Sequence, residues 1–162
     1  MAEWSDKDQA RLQRICKAGH IILIIAMVIT AVFFILTLAA SVLSLFDSET
    51  TTSDSLEMFI GAVAMLMMVA VLFFLNKMVG GISAGESPFT SENSDTLRLI
   101  SILFFVAFLM LTIASIVVAI LDNDASKWSF EWTPLITAVV LYVMSLVFRY
   151  GTELQIQSDE TV

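Results

Sequence analysis

Long uncharged apolar runs alternate with short polar segments along this chain. They cover residues 21–46, 58–75, 99–121 and 132–148, and hold 26, 18, 23 and 17 residues. An α-helix rises about 1.5 Å per residue, so each run is long enough to cross a hydrocarbon layer of about 30 Å, the fourth only just. The pattern predicts an all-α membrane protein with four transmembrane helices, which form a single domain over residues 1–162.

Positive charge is distributed unequally between the segments that join these runs. Seven of the eight lysines and arginines lie in the N-terminal segment, the middle loop or the C-terminal tail, and only Lys127 lies on the other side. Lysine and arginine in short loops favour the cytoplasmic side of a membrane. We therefore expect both termini and the middle loop in the cytoplasm.

The net charge of −8 belongs mainly to the outer side of the predicted protein. The segments predicted outside carry a net charge of −6, and those predicted inside carry −2. A nucleic-acid-binding surface needs a basic patch, and neither side offers one. Direct nucleic-acid binding is therefore not expected, and the lipid bilayer is the first expected partner.

The apolar runs contain none of the side chains that several classes of membrane protein require. Proton-coupled carriers place an ionisable side chain within a span, and none of the four runs contains one. Cys16 is the only cysteine and His20 the only histidine, so one chain supplies neither a thiol pair nor the histidine pairs of a haem carrier. We predict no enzymatic activity, no cofactor and no metal site.

Three clusters of side chains allow more specific interpretations. They are Cys16 with His20, Met65 with Met67 and Met68, and Asp47 and Glu49 with Asp122, Asn123 and Asp124. The first offers two of the three or four ligands of a zinc or copper site, the second suits Cu(I), and the third suits Mg²⁺, Ca²⁺ or a cationic peptide. The commoner interpretations are an interface pair, flexible core packing and a solvated acidic loop, and we favour these.

Local signals predict where the helices begin, end and pack. Asp54 with Glu57 resembles a capping box for the second span, and the middle loop is expected to run over residues 76–98 and to begin with Gly80 and Gly81. Small residues four apart let helices approach closely in a membrane. Such pairs occur at Ala26/Thr30, Thr37/Ser41, Ala40/Ser44 and Ser115/Ala119.

The middle loop and the C-terminal tail carry the most specific pattern in the chain. The loop pattern comprises Pro88, Phe89, Glu92, Asn93, Leu97 and Arg98, and the tail pattern comprises Phe148, Gly151, Leu154, Gln155, Glu160, Thr161 and Val162. Together they resemble a bacterial family of small four-span membrane proteins catalogued as domain of unknown function 2975, which has a G-x-PF-x-x-EN-x-x-x-LR-like loop and an F-x-x-G-x-x-LQ tail with an acidic-Thr-Val ending. Gly85 lies one residue further from Pro88 than in the family pattern.

The resemblance implies a function without catalysis. Members of the family are often encoded beside a small Cro/CI-like helix-turn-helix regulator, so the expected function is to bind or regulate such a transcription factor at the bacterial inner membrane, with the role of a membrane signal sensor as one form of it. The loop and tail residues named above would form the docking surface. The structural alternative is that they only cap the third span and pack beneath the helices. The functional alternative is an oligomeric channel, a transporter accessory or a membrane-stress protein.

The predicted orientation can be tested through Cys16, which the distribution of charge places in the cytoplasm. In intact cells, a membrane-impermeant maleimide should leave Cys16 unlabelled, whereas cysteines introduced at Ser53 or Ser126 should react. Rapid labelling of native Cys16 would show that the orientation is reversed.

Overall fold

A computed structural model describes the backbone of residues 6–47 and 49–160 and the side chains of residues 14–47 and 49–158. The helical elements are α1 (Asp6–Ser44), α2 (Thr52–Ser83), α3 (Ser91–Leu121), a 3₁₀ turn (Ala125–Lys127) and α4 (Trp132–Glu160). Each of the four α-helices includes a segment long and apolar enough to cross a membrane. The chain is therefore an all-α, multi-pass membrane protein, as the apolar runs predicted.

The α-helices extend beyond the apolar runs at the membrane boundaries. Helix α2 continues to Ser83 and α3 begins at Ser91, so the middle loop is only residues 84–90. The prediction of a loop over residues 76–98 was wrong, because a helix that leaves the hydrocarbon can keep its backbone hydrogen bonds in the polar region. Two consecutive glycines therefore lie in the last turns of α2 and not in the loop.

The α-helices contact one another in the order of the chain. Helix α1 packs against α2, α3 packs against α4, and a smaller interface between α2 and α3 joins the two hairpins. Within the described residues, α1 has no Cα atom within 8 Å of α3 or α4. The helices thus form an open row. We call the end with residues 45–51 and 122–131 the hairpin end, and the end with residues 84–90 and the C-terminal turns of α4 the loop–tail end.

Small and hydroxyl-bearing residues form the interface between α1 and α2. The Thr37 hydroxyl donates to the backbone oxygen of Phe33 at 2.8 Å and approaches Met65 Sδ at 3.5 Å. Ser41 and Ser44 are buried, and a Cβ atom on Gly61 would lie 4.0 Å from Thr37. The small-residue pattern of α1 therefore marks a helix interface. Because each hydroxyl bonds to a carbonyl of its own helix, it is satisfied without water.

Helix α2 begins with a capping box that the sequence pattern placed one turn too late. Thr51 is the N-cap residue, and its hydroxyl accepts from the backbone N–H of Asp54 at 3.2 Å. The Asp54 carboxylate in turn accepts from the backbone N–H of Thr51 at 3.4 Å. The predicted pairing of Asp54 with Glu57 was wrong, because α2 already starts at Thr52 and Asp54 is its third residue.

Asp122 ties three elements together at the hairpin end. Its carboxylate accepts a hydrogen bond from Ser53 Oγ at 2.6 Å and pairs with Lys127 Nζ at 2.5 Å. These contacts join the C-cap of α3 to the first turn of α2 and to the 3₁₀ turn. Ser53 is 3% exposed, so a cysteine introduced there would be shielded from the maleimide, whereas Ser126 is exposed and is the accessible position for that labelling test.

The hydrogen bond from Lys127, followed by that from Ser53, lowers the pKa of Asp122 below its ordinary value. A lowered pKa in the folded state stabilises the fold above the ordinary aspartate pKa, and this contribution is lost as the pH falls through the folded value. The melting temperature of the detergent-solubilised protein should therefore fall as the pH drops below about 4, and Asp122→Asn should remove part of that fall.

Thermal melts of both proteins between neutral pH and about pH 3 would measure this difference. At neutral pH the Asp122→Asn variant should melt at a lower temperature than wild type, and the two should converge in acid. Glu49→Gln, which removes an exposed acid from the same end, is the matched control and should behave as wild type. Parallel pH curves for wild type and Asp122→Asn would contradict the role of Asp122.

Candidate docking surface

The C-terminal tail is a continuation of helix α4. The helix continues through the glycine that follows the apolar run and reaches Glu160. Because α3 and α4 pack together as a hairpin, this extension lies beside the loop of residues 84–90, which leads into α3. The two segments that carry the family-like patterns are therefore neighbours.

An aromatic contact joins the loop to the tail. The ring centroids of Phe89 and Phe148 lie 5.3 Å apart with an interplanar angle of 51°. The Phe89 ring also covers the backbone of Gly151, where a Cβ atom would lie only 2.6 Å from Phe89 Cδ1. Gly151 is thus required for this close approach, because any larger residue would push the ring away.

A short hydrogen-bonded chain accompanies the aromatic contact. Ser87 Oγ donates to Gln155 Oε1 at 3.0 Å and accepts from the backbone N–H of Phe89 at 3.2 Å. One hydroxyl therefore fixes the loop at Phe89 and attaches it to α4. The loop and tail patterns include Gln155 but not Ser87, although a serine immediately before Pro88 is a common turn signal.

Other residues of the loop pattern shape the start of α3. Thr90 is the N-cap, and its hydroxyl accepts from the backbone N–H of Asn93 at 3.1 Å. The Asn93 side-chain amide donates to the Pro88 carbonyl at 2.9 Å. Leu97 is buried, with 5% of its surface exposed. Pro88, Asn93 and Leu97 thus have structural roles, as the capping alternative expects, and the hydrogen bond from Asn93 fixes the loop at Pro88.

The charged residues of the loop pattern lie on the surface. Glu92 pairs with Lys77 at 2.6 Å, which links α3 to the last turns of α2, and both side chains are exposed. Arg98 is exposed, as is Glu153, which lies 3.7 Å from Arg149 one helical turn earlier. Exposed ion pairs of this kind contribute little to stability, so these residues are available for contacts with a partner.

Exposed apolar side chains flank the contact between loop and tail. Phe89 is 36% exposed, Leu154 is 48% exposed and Ile156 is 54% exposed. At about 100° per helical residue, Leu154 and Ile156 lie on opposite sides of the stripe that faces the loop. We call the surface formed by Ser87, Phe89, Phe148, Gly151, Leu154 and Gln155 the loop–tail surface. Thr161 and Val162, which complete the predicted set, lie outside the described residues.

Of the three clusters considered for metal binding, the methionine cluster and the acidic cluster have other arrangements. Met65 faces α1, whereas Met67 and Met68 line a cavity between α2 and α3, so their sulfur atoms do not converge. The Asp122 and Asp124 carboxylates accept hydrogen bonds from side chains nearby in the fold. The described part of the chain contains no group of three or more His, Cys, Asp or Glu residues positioned to hold a metal ion.

Comparisons of this chain with models of protein families, with curated proteins and with solved structures found no match.

The contact at Gly151 predicts the effect of Gly151→Ala. Alanine favours a helix over glycine by about 0.5 to 1 kcal/mol, but overpacking against Phe89 costs about 1 to 3 kcal/mol. The variant should therefore release the tail from the loop despite its higher helix propensity. Hydrogen exchange of residues 152–158 should accelerate, by roughly 5- to 30-fold for a loss of one or two kcal/mol.

Gly61→Ala is the matched control, because a Cβ atom there would make only an ordinary contact at 4.0 Å. Exchange in the tail of this variant should equal that of wild type. If Gly151→Ala also exchanges at the wild-type rate, then Phe89 does not hold the tail in place.

Proposed function

We propose that this chain is a non-enzymatic membrane protein whose loop–tail surface binds a small cytosolic helix-turn-helix transcription factor and thereby regulates it. The observation that carries the proposal is the packing of Phe89 against Phe148 and Gly151. This packing brings the middle loop into contact with the C-terminal part of α4, although the two are far apart in sequence. In this proposal the loop–tail end faces the cytoplasm of a bacterial inner membrane. The identity of the partner rests on the family resemblance of the same two segments.

The chemistry of the surface suits a protein partner. The surface exposes the apolar side chains of Phe89 and Leu154 together with the Gln155 amide and charged side chains. Protein interfaces commonly combine an apolar centre with a polar rim, and aromatic residues are enriched among their anchors. Leu154 lies beyond the apolar run of α4, so burial against a partner would remove it from water.

A surface made from two segments also offers a means of regulation. The loop leads into α3, and the tail is the end of α4, so a change in the packing of these helices would alter the position of Phe89 relative to Leu154. A partner that binds both segments would be released when they separate. Retention at the membrane would keep the transcription factor from its promoter, and release would restore its access to DNA.

Leu154→Ala tests the proposal without disturbing the fold, because Leu154 is exposed and has no structural role in the contact between loop and tail. Truncation of an interface anchor should weaken capture of the regulator by about 1 to 3 kcal/mol. Phe89→Ala should weaken capture at least as much, and the double variant should be non-additive if both residues contact one partner segment. Co-purification at matched membrane levels and output from the target promoter would measure both effects.

Ile156→Ala is the matched control, since it removes a similar apolar side chain from the opposite flank of the same helix. This variant should capture the regulator as wild type does. Unchanged capture and promoter output in the Phe89→Ala, Leu154→Ala double variant would reject the docking surface. Equal losses for Leu154→Ala and Ile156→Ala would show a general effect of tail hydrophobicity and would also contradict it.

A further inference from the structure

A cavity of about 290 Å³ opens at the hairpin end between α2, α3 and the segment that leads into α4. Its rim carries the side chains of Glu57, Lys127 and Glu131, and its deeper wall includes Ile60, Leu111 and Val118. The cavity therefore has charged groups at its mouth and an apolar interior. It lies far from the loop–tail surface, so it is independent of the proposed docking function.

A second cavity lies beside the first, closer to the middle of the helices. It has a volume of about 150 Å³, is lined almost entirely by apolar atoms and shares Leu111 with the first cavity. Met67 and Leu103 form part of its wall. From Glu57 to Met67 the wall extends about 15 Å along α2, at about 1.5 Å per residue. The two cavities follow the smaller interface of the fold, where the contact between α2 and α3 joins the two hairpins.

The position of the rim matches the boundary of a membrane. Trp128 and Trp132, on either side of Glu131 in the chain, are 56% and 62% exposed. Exposed tryptophans are typical of the level of the lipid headgroups. A molecule in these cavities would thus hold its polar part at the headgroup level and its apolar part within the hydrocarbon, which is the arrangement of an amphiphile.

The charged side chains at the rim determine whether a positive or a negative head group would bind there. The Lys127 ammonium is already paired with the Asp122 carboxylate at 2.5 Å. Glu57 and Glu131 are both exposed, and together they leave the rim with an excess of negative charge. A positively charged head would gain favourable interactions with two carboxylates, whereas an anionic head would be repelled by them.

We propose that the two cavities bind an amphiphile with an ammonium head and a single hydrocarbon chain. The head lies between Glu57 and Glu131, and the chain passes Leu111 into the apolar space beside Met67. The ligand comes either from the bilayer, as a lipid with an ammonium group, or from outside the cell, as a soluble alkylammonium compound. Both sources share the chemistry that the cavities recognise.

Photolabelling tests this proposal on the full chain in micelles of the neutral detergent dodecyl maltoside. The probe is a dodecyltrimethylammonium analogue that carries a diazirine on its chain, and a sulfate-headed analogue serves as the second probe. The ammonium probe should label residues 57–67 and 111–118 saturably, whereas the sulfate probe should label them weakly. Equal labelling of these residues by the two probes would overturn the proposal.

Two sets of variants test the contributions of the rim and of the interior to probe binding separately. The Glu57→Gln, Glu131→Gln double variant should reduce saturable labelling by about tenfold, which corresponds to the loss of a charge-assisted contact. Ala114→Phe should fill the first cavity and reduce labelling similarly. The matched controls are Glu49→Gln, an exposed acid of the same end, and Ile113→Phe, an exposed neighbour on α3; both should label as wild type.

Competition identifies the source of the ligand. Displacement of the probe by lysophosphatidylethanolamine, a lipid with one acyl chain and an ammonium group, would indicate a bilayer lipid, and displacement by unlabelled dodecyltrimethylammonium alone would indicate a soluble amphiphile. Thermal melts report whether the Ala114→Phe variant folds. If that variant does not fold, the Glu57→Gln, Glu131→Gln double variant still tests the proposal, because both glutamates are exposed. Wild-type labelling in the glutamate double variant, or failure of both competitors, would reject the cavities as a binding site.

Discussion

Backbone hydrogen bonding inside the hydrocarbon is the constraint on which the rest of this structure depends. No water reaches the backbone there, so each N–H and C=O group must be paired within its own helix. The chain meets this constraint with four uninterrupted helices and makes its connections at their ends. Pro88 lies in a loop, and Pro134 lies in the first turn of α4, so neither proline interrupts a span. The hydroxyls of Thr30 and Thr37 bond to carbonyls one turn back, which satisfies these polar groups without solvent.

The association of the helices follows from the same environment. Lipid is as apolar as the helix surfaces, so the hydrophobic effect contributes little to their pairing, and close packing and polar contacts decide it. Buried Ser41 and Ser44 lie on α1, which packs against α2, and the Ser94 hydroxyl donates to the Ser145 carbonyl between α3 and α4. The interface between α2 and α3 is smaller, and cavities remain along it. Contacts at the helix ends, above all those of Asp122, hold the two hairpins together there.

Both proposed binding sites lie where the helices leave the hydrocarbon. Charged and amide groups can be exposed at these levels, whereas apolar side chains of the spans continue directly beneath them. At the loop–tail end this combination places Leu154 and Phe89 beside Gln155, on a surface that suits a protein. At the hairpin end it places Glu57 and Glu131 above an apolar cavity, which suits an amphiphile. A ligand in that cavity would contact both α2 and α3. At their other ends, these two helices flank the middle loop.

The sequence by itself determined the class of the fold and the number of membrane-length helices. A run of about 20 apolar residues is a local property, and its length alone decides whether a helix can cross the hydrocarbon. The small-residue pattern also pointed to Thr37 and Ser41 as packing positions, and both lie where α1 packs against α2, whereas Ala40 of the same pattern is exposed. Only the tertiary structure decided that the middle loop spans residues 84–90, that Phe89 covers Gly151, and that Ser87 bonds to Gln155. These contacts join segments about sixty residues apart, and they depend on how α3 packs against α4. Local propensity carries no information about such an approach, because it is set by the fit of two helix surfaces to each other.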